Sequence, residues 1–500
     1  MTHVMKTSGH AVAQYLDKPQ SEITRQDLLR YVKENSIEFV QLRHVGGDGR
    51  LKTLSFVVES EAQLDRLLSG GERVDGSSLL PYVETASSDL YVVPRYRTAF
   101  LNPFTPYPSL DMLCTYYTGM GERLAVSPEN VLLKSQEVLK EKSGLTMDAL
   151  GELEYYVVFP ERHLYPLNPQ RGYHESSPFS RGEAMRNEVM KTLAKAGVSI
   201  KYGHSEVGSI CENGSVMEQH EIELGLAPIE DAADHLVIAM WMLRMVGCKE
   251  GVAVTFAPKI SAGHAGNGMH VHTRLMREGT NVISVDGELT DIAKRVIAGY
   301  LTLAPSLTAF GNTIPTSYLR LVPHQEAPTH ICWGDRNRSA LIRVPLGWQK
   351  IGDMARDANP QQAVASASHA DGQTVEIRSP DGSAQVYLLL AGLAVAARHG
   401  LELENALDVA AHQHVGVNVF SAEHGDVRDS LPHLPVSCAQ SAAALLDQRA
   451  VYEQDDVFPP AVIDVTAAKL RSYNDEGLTK RVKGNYEEMA RMIEKYLYCP

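Results

Sequence analysis

Apolar residues along this chain recur with two different periods. At a period near 3.6, Leu28, Leu29 and Val32 share one face of a segment opened by Thr24, predicting a capped helix to about Asn35. Glu61–Leu68, Pro128–Lys140, Ala233–Lys249, Ile292–Leu307, Gln385–Ala397 and Tyr486–Tyr496 read as further helices, the last amphipathic and Gln385–Ala397 apolar enough to be buried. Other segments read as strands. Glu38–His44 and Leu51–Val58 flank the turn Gly46-Gly47-Asp48-Gly49, and two more strands lie around Leu90–Val93 and Leu110–Tyr117. Residues 1–20 show no periodicity and are expected to form a loose arm. Residues 21–125 then make a small unit of strands crossed by a helix, and residues 126–500 a larger domain in which helices and strands alternate. The fold class is α+β.

Composition narrows the class of protein. A chain of 500 residues exceeds one ordinary core, which agrees with a two-domain reading. The formal net charge of -14 argues against a nucleic-acid-binding surface, which needs a basic footprint. Six cysteines lie far apart with no C-x-x-C pair, so a cysteine-built zinc site is disfavoured and reduced thiols are expected. The N-terminal residues lack the apolar core of a signal peptide, and no apolar run approaches the ~20 residues of a membrane span. A cytoplasmic protein with no membrane partner is the expectation.

Within the strand-like runs, polar residues recur in pairs two apart. Successive strand side chains point to opposite faces, so i and i+2 share one face. Glu152 and Glu154 stand before Tyr155-Tyr156-Val157-Val158-Phe159; His270 and His272 bracket Val271; Glu376 and Arg378 bracket Ile377. His204 precedes Glu206, and Gln219 precedes Glu221, at the same spacing. One such pair reads as a solvated strand face. Several of them in apolar flanks place carboxylates where an unpaired charge is costly, and divalent cations relieve that cost. Oxygen-rich ligands with an imidazole suit Mg²⁺ or Mn²⁺ rather than zinc. Arg320, Arg338, Arg343 and Arg378 supply forks for a phosphoryl or carboxylate group. Metals and arginines together suit phosphoryl transfer, and the absence of G-x-x-x-x-G-K-[ST] excludes a P-loop.

These motifs, in this order, resemble the type I glutamine synthetases of bacteria and archaea. The resemblance runs from about Ile37 to Arg398 and includes Asp75-Gly76-Ser77-Ser78, Glu152-x-Glu154, His204-x-Glu206, Gln219-x-Glu221, Gly268-Met269-His270-Val271-His272, Ser317-Tyr318-Leu319-Arg320, Glu326-Ala327-Pro328, Asn337-Arg338-Ser339-Ala340 and Glu376-x-Arg378. It implies a β-grasp-like N-terminal domain and a catalytic domain with a curved, mostly antiparallel sheet. It implies ATP-dependent ligation of ammonia to the γ-carboxylate of glutamate through γ-glutamyl phosphate, with two or more Mg²⁺ or Mn²⁺ ions per site. By position, Glu154, Glu206 and Glu221 would hold one ion, and Glu152, His270 and Glu376 the other. Arg338, Arg343 and Arg378 would meet phosphate oxygens, with His272 at the nucleotide. Arg320 would hold the α-carboxylate of glutamate, and Glu326 would sit on a closing loop as a base. Asp75, with Ser78 and Tyr173, would bind ammonium and deprotonate it. The family forms stacked rings, often dodecamers of two hexamers, with the Asp75 loop supplied by a neighbour.

The chain also departs from the family pattern. Ala265 and Thr316 replace asparagines, Arg274 replaces a common serine, and Pro94-Arg95-Tyr96-Arg97-Thr98 replaces Pro-Asp-x-x-T. Gln385-Val386 stands where Asn-Pro is usual, and about Gly208–Glu218 is inserted before Gln219. No Asn-Leu-Tyr adenylylation motif occurs near Asn418-Val419-Phe420. These changes leave the ligase class intact and keep open a γ-glutamyl-amide ligase using a polyamine or monoamine; an inactive scaffold is a separate alternative whose mark would be loss of metal ligands, and all six matched ligands are present.

Overall fold

A computed structural model describes residues 9–160, 165, 168–212, 214–323, 327–347, 353–361 and 372–499. Near the N-terminus it corrects one expectation. Ala11–Leu16 is a helix capped by the His10 ring, with Val12 and Leu16 buried. His10 Nε2 lies 2.6 Å from Ala99 O. This part of the chain is anchored to the small domain and is not a loose arm; residues 1–8 lie outside the described set.

The small domain is a six-stranded sheet. Its main order is Leu51–Val57, Phe39–Val45, Ser109–Thr118, Asp89–Pro94, Glu72–Asp75, with Phe100–Leu101 also on Ser109–Thr118. Phe39–Val45 and Ser109–Thr118 pair in parallel, Leu42 against Met112, while the other pairs are antiparallel. A parallel pair needs a long crossover, and Glu61–Gly70 is a helix within it. Arg25–Glu34 starts in a complete capping box: Thr24 Oγ1 accepts from Asp27 N–H, and the Asp27 carboxylate accepts from Thr24 N–H at 3.0 Å. Leu28, Val32, Leu64, Leu68, Val40 and Met112 share one core.

The large domain is built on a ten-stranded sheet. Its main order is Trp333–Asp335, Ile342–Val344, Val375–Ile377, Met269–Arg277, Thr146–Pro160, Ser215–Leu224, Ile200–Glu212. The first two strands are parallel and every other pair is antiparallel. Alternation along the central strand decides its two faces. Leu153, Tyr155 and Val157 lie in the core with Leu236 and Met240 of the helix Ile229–Glu250, leaving Glu152 and Glu154 on the opposite face. Helices Pro128–Ser143, Asp291–Gly311 and Val386–Glu402 complete that core. The sheet therefore has one greasy face and one face free to carry charge.

The two domains are tied together. Arg95 forks onto Asp234 at 2.7 and 2.8 Å, and Tyr387 OH donates to the same carboxylate at 2.7 Å. Arg43, paired with Asp111 in the small domain, also lies over the Trp241 ring at 3.9 Å.

Candidate active site

Strand register brings the paired polar residues into one row. Glu152 stands opposite His270 on one neighbour and Glu223 on the other; Glu154 stands opposite Glu221, which in turn faces His204. Glu376 faces His272 and Arg343. These side chains line one cavity of about 600 Å³. Arg320, Arg336, Arg338, Arg343 and Arg378 also line it, as do Tyr173 and Tyr202.

Glu152 sits between both histidines, 2.8 Å from His270 Nδ1 and 2.8 Å from His272 Nε2. Burial opposes its ionisation, but His272 and His270 override burial and hold its carboxyl well below the usual range. Burial, reinforced by Glu152, Glu154, Glu206 and Glu223, pushes the Glu221 carboxyl well above it. Such opposed shifts among neighbouring carboxylates mark a site short of positive charge.

Three groups bring ligand atoms within 4.8 Å of one another: Glu152, His270 and Glu376; His204, Glu206 and Glu221; and Glu152, Glu223 and His272. The first is the set expected from sequence. In the second, His204 stands where Glu154 was expected. Glu154 Oε2 is occupied by Gly268 N–H at 2.8 Å and by Gln219 at 2.9 Å, while Oε1 lies 3.9 Å from His270 Nε2. That imidazole nitrogen is buried without a hydrogen-bond partner among the described residues. An unpaired ring nitrogen among carboxylates is the donor set that a divalent ion requires, so these residues fit the expected metals.

Glu206 reaches the cavity through a bulge. Ser205 faces His220 and Ser209 faces Glu218, so Glu206, Val207 and Gly208 together oppose Gln219. The expected insertion is thus the outer part of a hairpin whose two strands pair through Glu212 and Ser215. Arg343 donates to Glu376 at 2.8 Å and Arg378 Nε to the same carboxylate at 3.2 Å, while Arg378 also holds Arg338 O. Arg320 is buried, with Nη1 on Ser379 O at 2.9 Å, which fixes its guanidinium beside Gly266 and Gly268.

Two predicted residues are not with the others. Asp75 and Ser78 lie on the small domain at the end of the strand Glu72–Asp75 and are not among the residues lining the cavity. Hydrogen bonds from Ser78, Ser77 and Ser88 hold the exposed Asp75 carboxyl down at about 2. Glu326 lies outside the described residues. Sequence reasoning missed Glu223, although Glu221-x-Glu223 repeats the spacing that flagged the others, and missed His204 as a ligand. The departures are equally plain. Ala265, Thr316 and Arg274 do not line the cavity; Arg274 pairs with Asp148 at 2.9 Å.

The profile of the family described as "Glutamine synthetase, catalytic domain" matches residues 118–476, and that of "Glutamine synthetase, beta-Grasp domain" matches residues 36–119. The glutamine synthetase of Thermus thermophilus is 28% identical over 390 residues, covering 76% of this chain and 80% of its own length. That of Aquifex aeolicus is 26% identical over 482 residues, covering 91% and 96%. Among solved structures, Plasmodium falciparum glutamine synthetase aligns with a TM-score of 0.73 at 19% identity, covering 92% of this chain and 97% of that one. A GmaS/ADP complex aligns at 0.73 with 20% identity, covering 90% and 96%. At these identities the structural likenesses show the fold.

Proposed function

The chain belongs to the glutamine synthetase family, and from that premise we propose that it joins ammonia to the γ-carboxylate of glutamate, converting ATP to ADP and phosphate. The observation that carries this reading is the row of carboxylates and imidazoles sharing one cavity with Arg320, Arg336, Arg338, Arg343 and Arg378. Glu152, Glu154, Glu206, Glu221, His270 and Glu376 would hold two Mg²⁺ or Mn²⁺ ions, with His204 close enough to join them. Bound there, the ions would neutralise phosphate charge and align the transfer.

The remaining roles fall to the chain's own groups. Arg338, Arg343 and Arg378 would grip phosphate oxygens, and His272 would stand at the nucleotide. A carboxylate oxygen leaves poorly, so phosphorylation of the γ-carboxyl prepares it for attack. Arg320 would present its guanidinium to the α-carboxylate of glutamate beside Gly266. Asp75, ionised at any working pH, would attract ammonium with Ser78 and Tyr173. Ammonium must lose a proton before it attacks, and Asp75 and Glu326 are the candidate bases. Because Asp75 and Ser78 stand apart from this chain's own cavity, a second copy would supply them. That supports a homo-oligomer with sites between subunits, a dodecamer in the family pattern. Among the described residues no single helix is long and apolar enough to cross a membrane; a cytoplasmic enzyme of nitrogen metabolism fits the reading.

The test is phosphate release from ATP with glutamate, Mg²⁺ or Mn²⁺, and either ammonium or a panel of amines. Turnover with ammonium is expected. Turnover with amines alone would transfer the chain to the γ-glutamyl-amide ligases, and none with any acceptor would favour a scaffold.

A further inference from the structure

Gln219 is buried in the strand Ser215–Leu224, on the cavity face with Glu221 and Glu223. Its amide has a polar partner at each end. Oε1 accepts from Gly208 N–H at 3.0 Å, at the last residue of the bulge that carries Glu206. Nε2 lies 2.9 Å from Glu154 Oε2, 3.1 Å from Gly266 O and 3.2 Å from Asn267 Oδ1. One planar group therefore touches the bulge behind Glu206, the carboxylate of Glu154, and the loop that borders Arg320.

That loop has further anchors on both sides. Tyr156 OH donates to Ala265 O at 2.9 Å, and Asn267 Nδ2 donates to Thr255 O and Ala257 O at 3.2 and 3.0 Å. Gly268 N–H donates to the same Glu154 oxygen that Gln219 reaches. Glu154 Oε2 is thus pinned by two donors, which leaves Oε1 to turn toward His270. The chemistry at Gln219 suits a primary amide. One end accepts from a backbone N–H while the other donates to a carboxylate, and an amide of this length does both in its ordinary state. Glutamate would set carboxylate against carboxylate, and methionine would leave Gly208 N–H and Glu154 with one partner fewer.

We propose that Gln219 is a positioning residue that couples the metal-binding carboxylates Glu154 and Glu206 to the loop Gly266–Gly268, so that metal and glutamate are bound by one linked unit. The inference deepens the ligase reading above and rests on it for the identity of the amino acid. Groups that orient metal ligands typically alter affinity or activity by about 10–100-fold when removed. Both Gln219→Glu and Gln219→Met keep the side chain's length and are read in the full chain.

The first measurement is a Mn²⁺ titration by electron paramagnetic resonance without nucleotide. The second is the KM for glutamate against kcat, with circular dichroism and thermal unfolding to establish that each variant is folded. The expected result is about 10–100-fold weaker Mn²⁺ binding together with a raised glutamate KM, while KM for ammonium stays as in the parent. A folded variant with parental Mn²⁺ affinity overturns the proposal. So does a variant that loses only thermal stability, or one that weakens metal binding and leaves glutamate KM unchanged. If only one variant folds, that one decides. Mn²⁺ binding needs no turnover, so failure of the parent to release phosphate would refute the ligase reading and leave the metal half of the coupling measurable.

Discussion

Glu152 is the residue on which most of the site's charge converges, with two imidazole nitrogens at 2.8 Å. Replacing it by glutamine keeps its shape and removes the charge that holds His270 and His272. Glu152→Gln is expected to lower turnover on the order of 100-fold or more while leaving the fold intact. Phosphate release and far-ultraviolet circular dichroism on the same sample check it; near-parental turnover would remove Glu152 from the metal site. This residue was legible in the sequence because a strand repeats every two positions, so its partner Glu154 and its facing row could be read as one surface. Glu223 obeys the same rule and was passed over because the family pattern ended at Glu221. His204 was seen as half of a pair, but its place beside Glu206 and Glu221 depends on how the hairpin is registered, which spacing alone does not determine.

The bulge is the element that turns that hairpin into part of the site. Gly208 is its tightest point: a Cβ there would lie 1.9 Å from Tyr156 OH and 2.6 Å from Gln219 Oε1. Gly208→Ala must shift either the bulge that carries Glu206 or the side chains of Tyr156 and Gln219 that hold it. It is expected to weaken Mn²⁺ binding by about 10-fold or more. Gly70→Ala is the control, since a Cβ at that helix end meets nothing within 4 Å. There a gain of about 0.5 kcal/mol is expected from helix propensity. Equal Mn²⁺ affinity in the two variants would show that the bulge does not position Glu206. Long elements such as Tyr486–Tyr496 were legible end to end because several turns repeat one pattern. Ala11–Leu16 was not, because six residues give less than two turns and its cap is an imidazole rather than a hydroxyl or carboxylate. The capping box at Thr24 gives the simplest test of element stability. Thr24→Ala should cost about 1 kcal/mol in a urea titration, and no change would mean that tertiary packing alone holds Arg25–Glu34.

At the scale of the whole molecule, each domain holds a histidine that burial keeps from taking up a proton. His44 is held down to about 4 by burial and by Lys52, with its Nδ1 2.6 Å from Tyr116 OH. His235 is held down to about 4 by burial, with Arg97 adding to it and Asp234 opposing. Both stand at 6.5 in an unfolded chain. Between 6.5 and 4 the unfolded state therefore binds protons that the folded state refuses, and stability falls as pH falls through that window. Above 6.5 neither state is protonated, so these residues add no slope there. Each contributes up to ~1.4 kcal/mol of stability lost per pH unit, which is large against the margin of an ordinary domain. Urea midpoints should drop from pH 7.5 to pH 5, and His44→Gln should flatten that drop while lowering the midpoint at pH 7.5 through lost packing with Tyr116. The Asp27 carboxyl adds nothing in this window. Bonds from Thr24 and Lys18 hold it at about 2, so its contribution is lost only as pH falls below 3.8. A drop as steep in His44→Gln as in the parent would mean that water reaches this imidazole and protonates it in the folded protein.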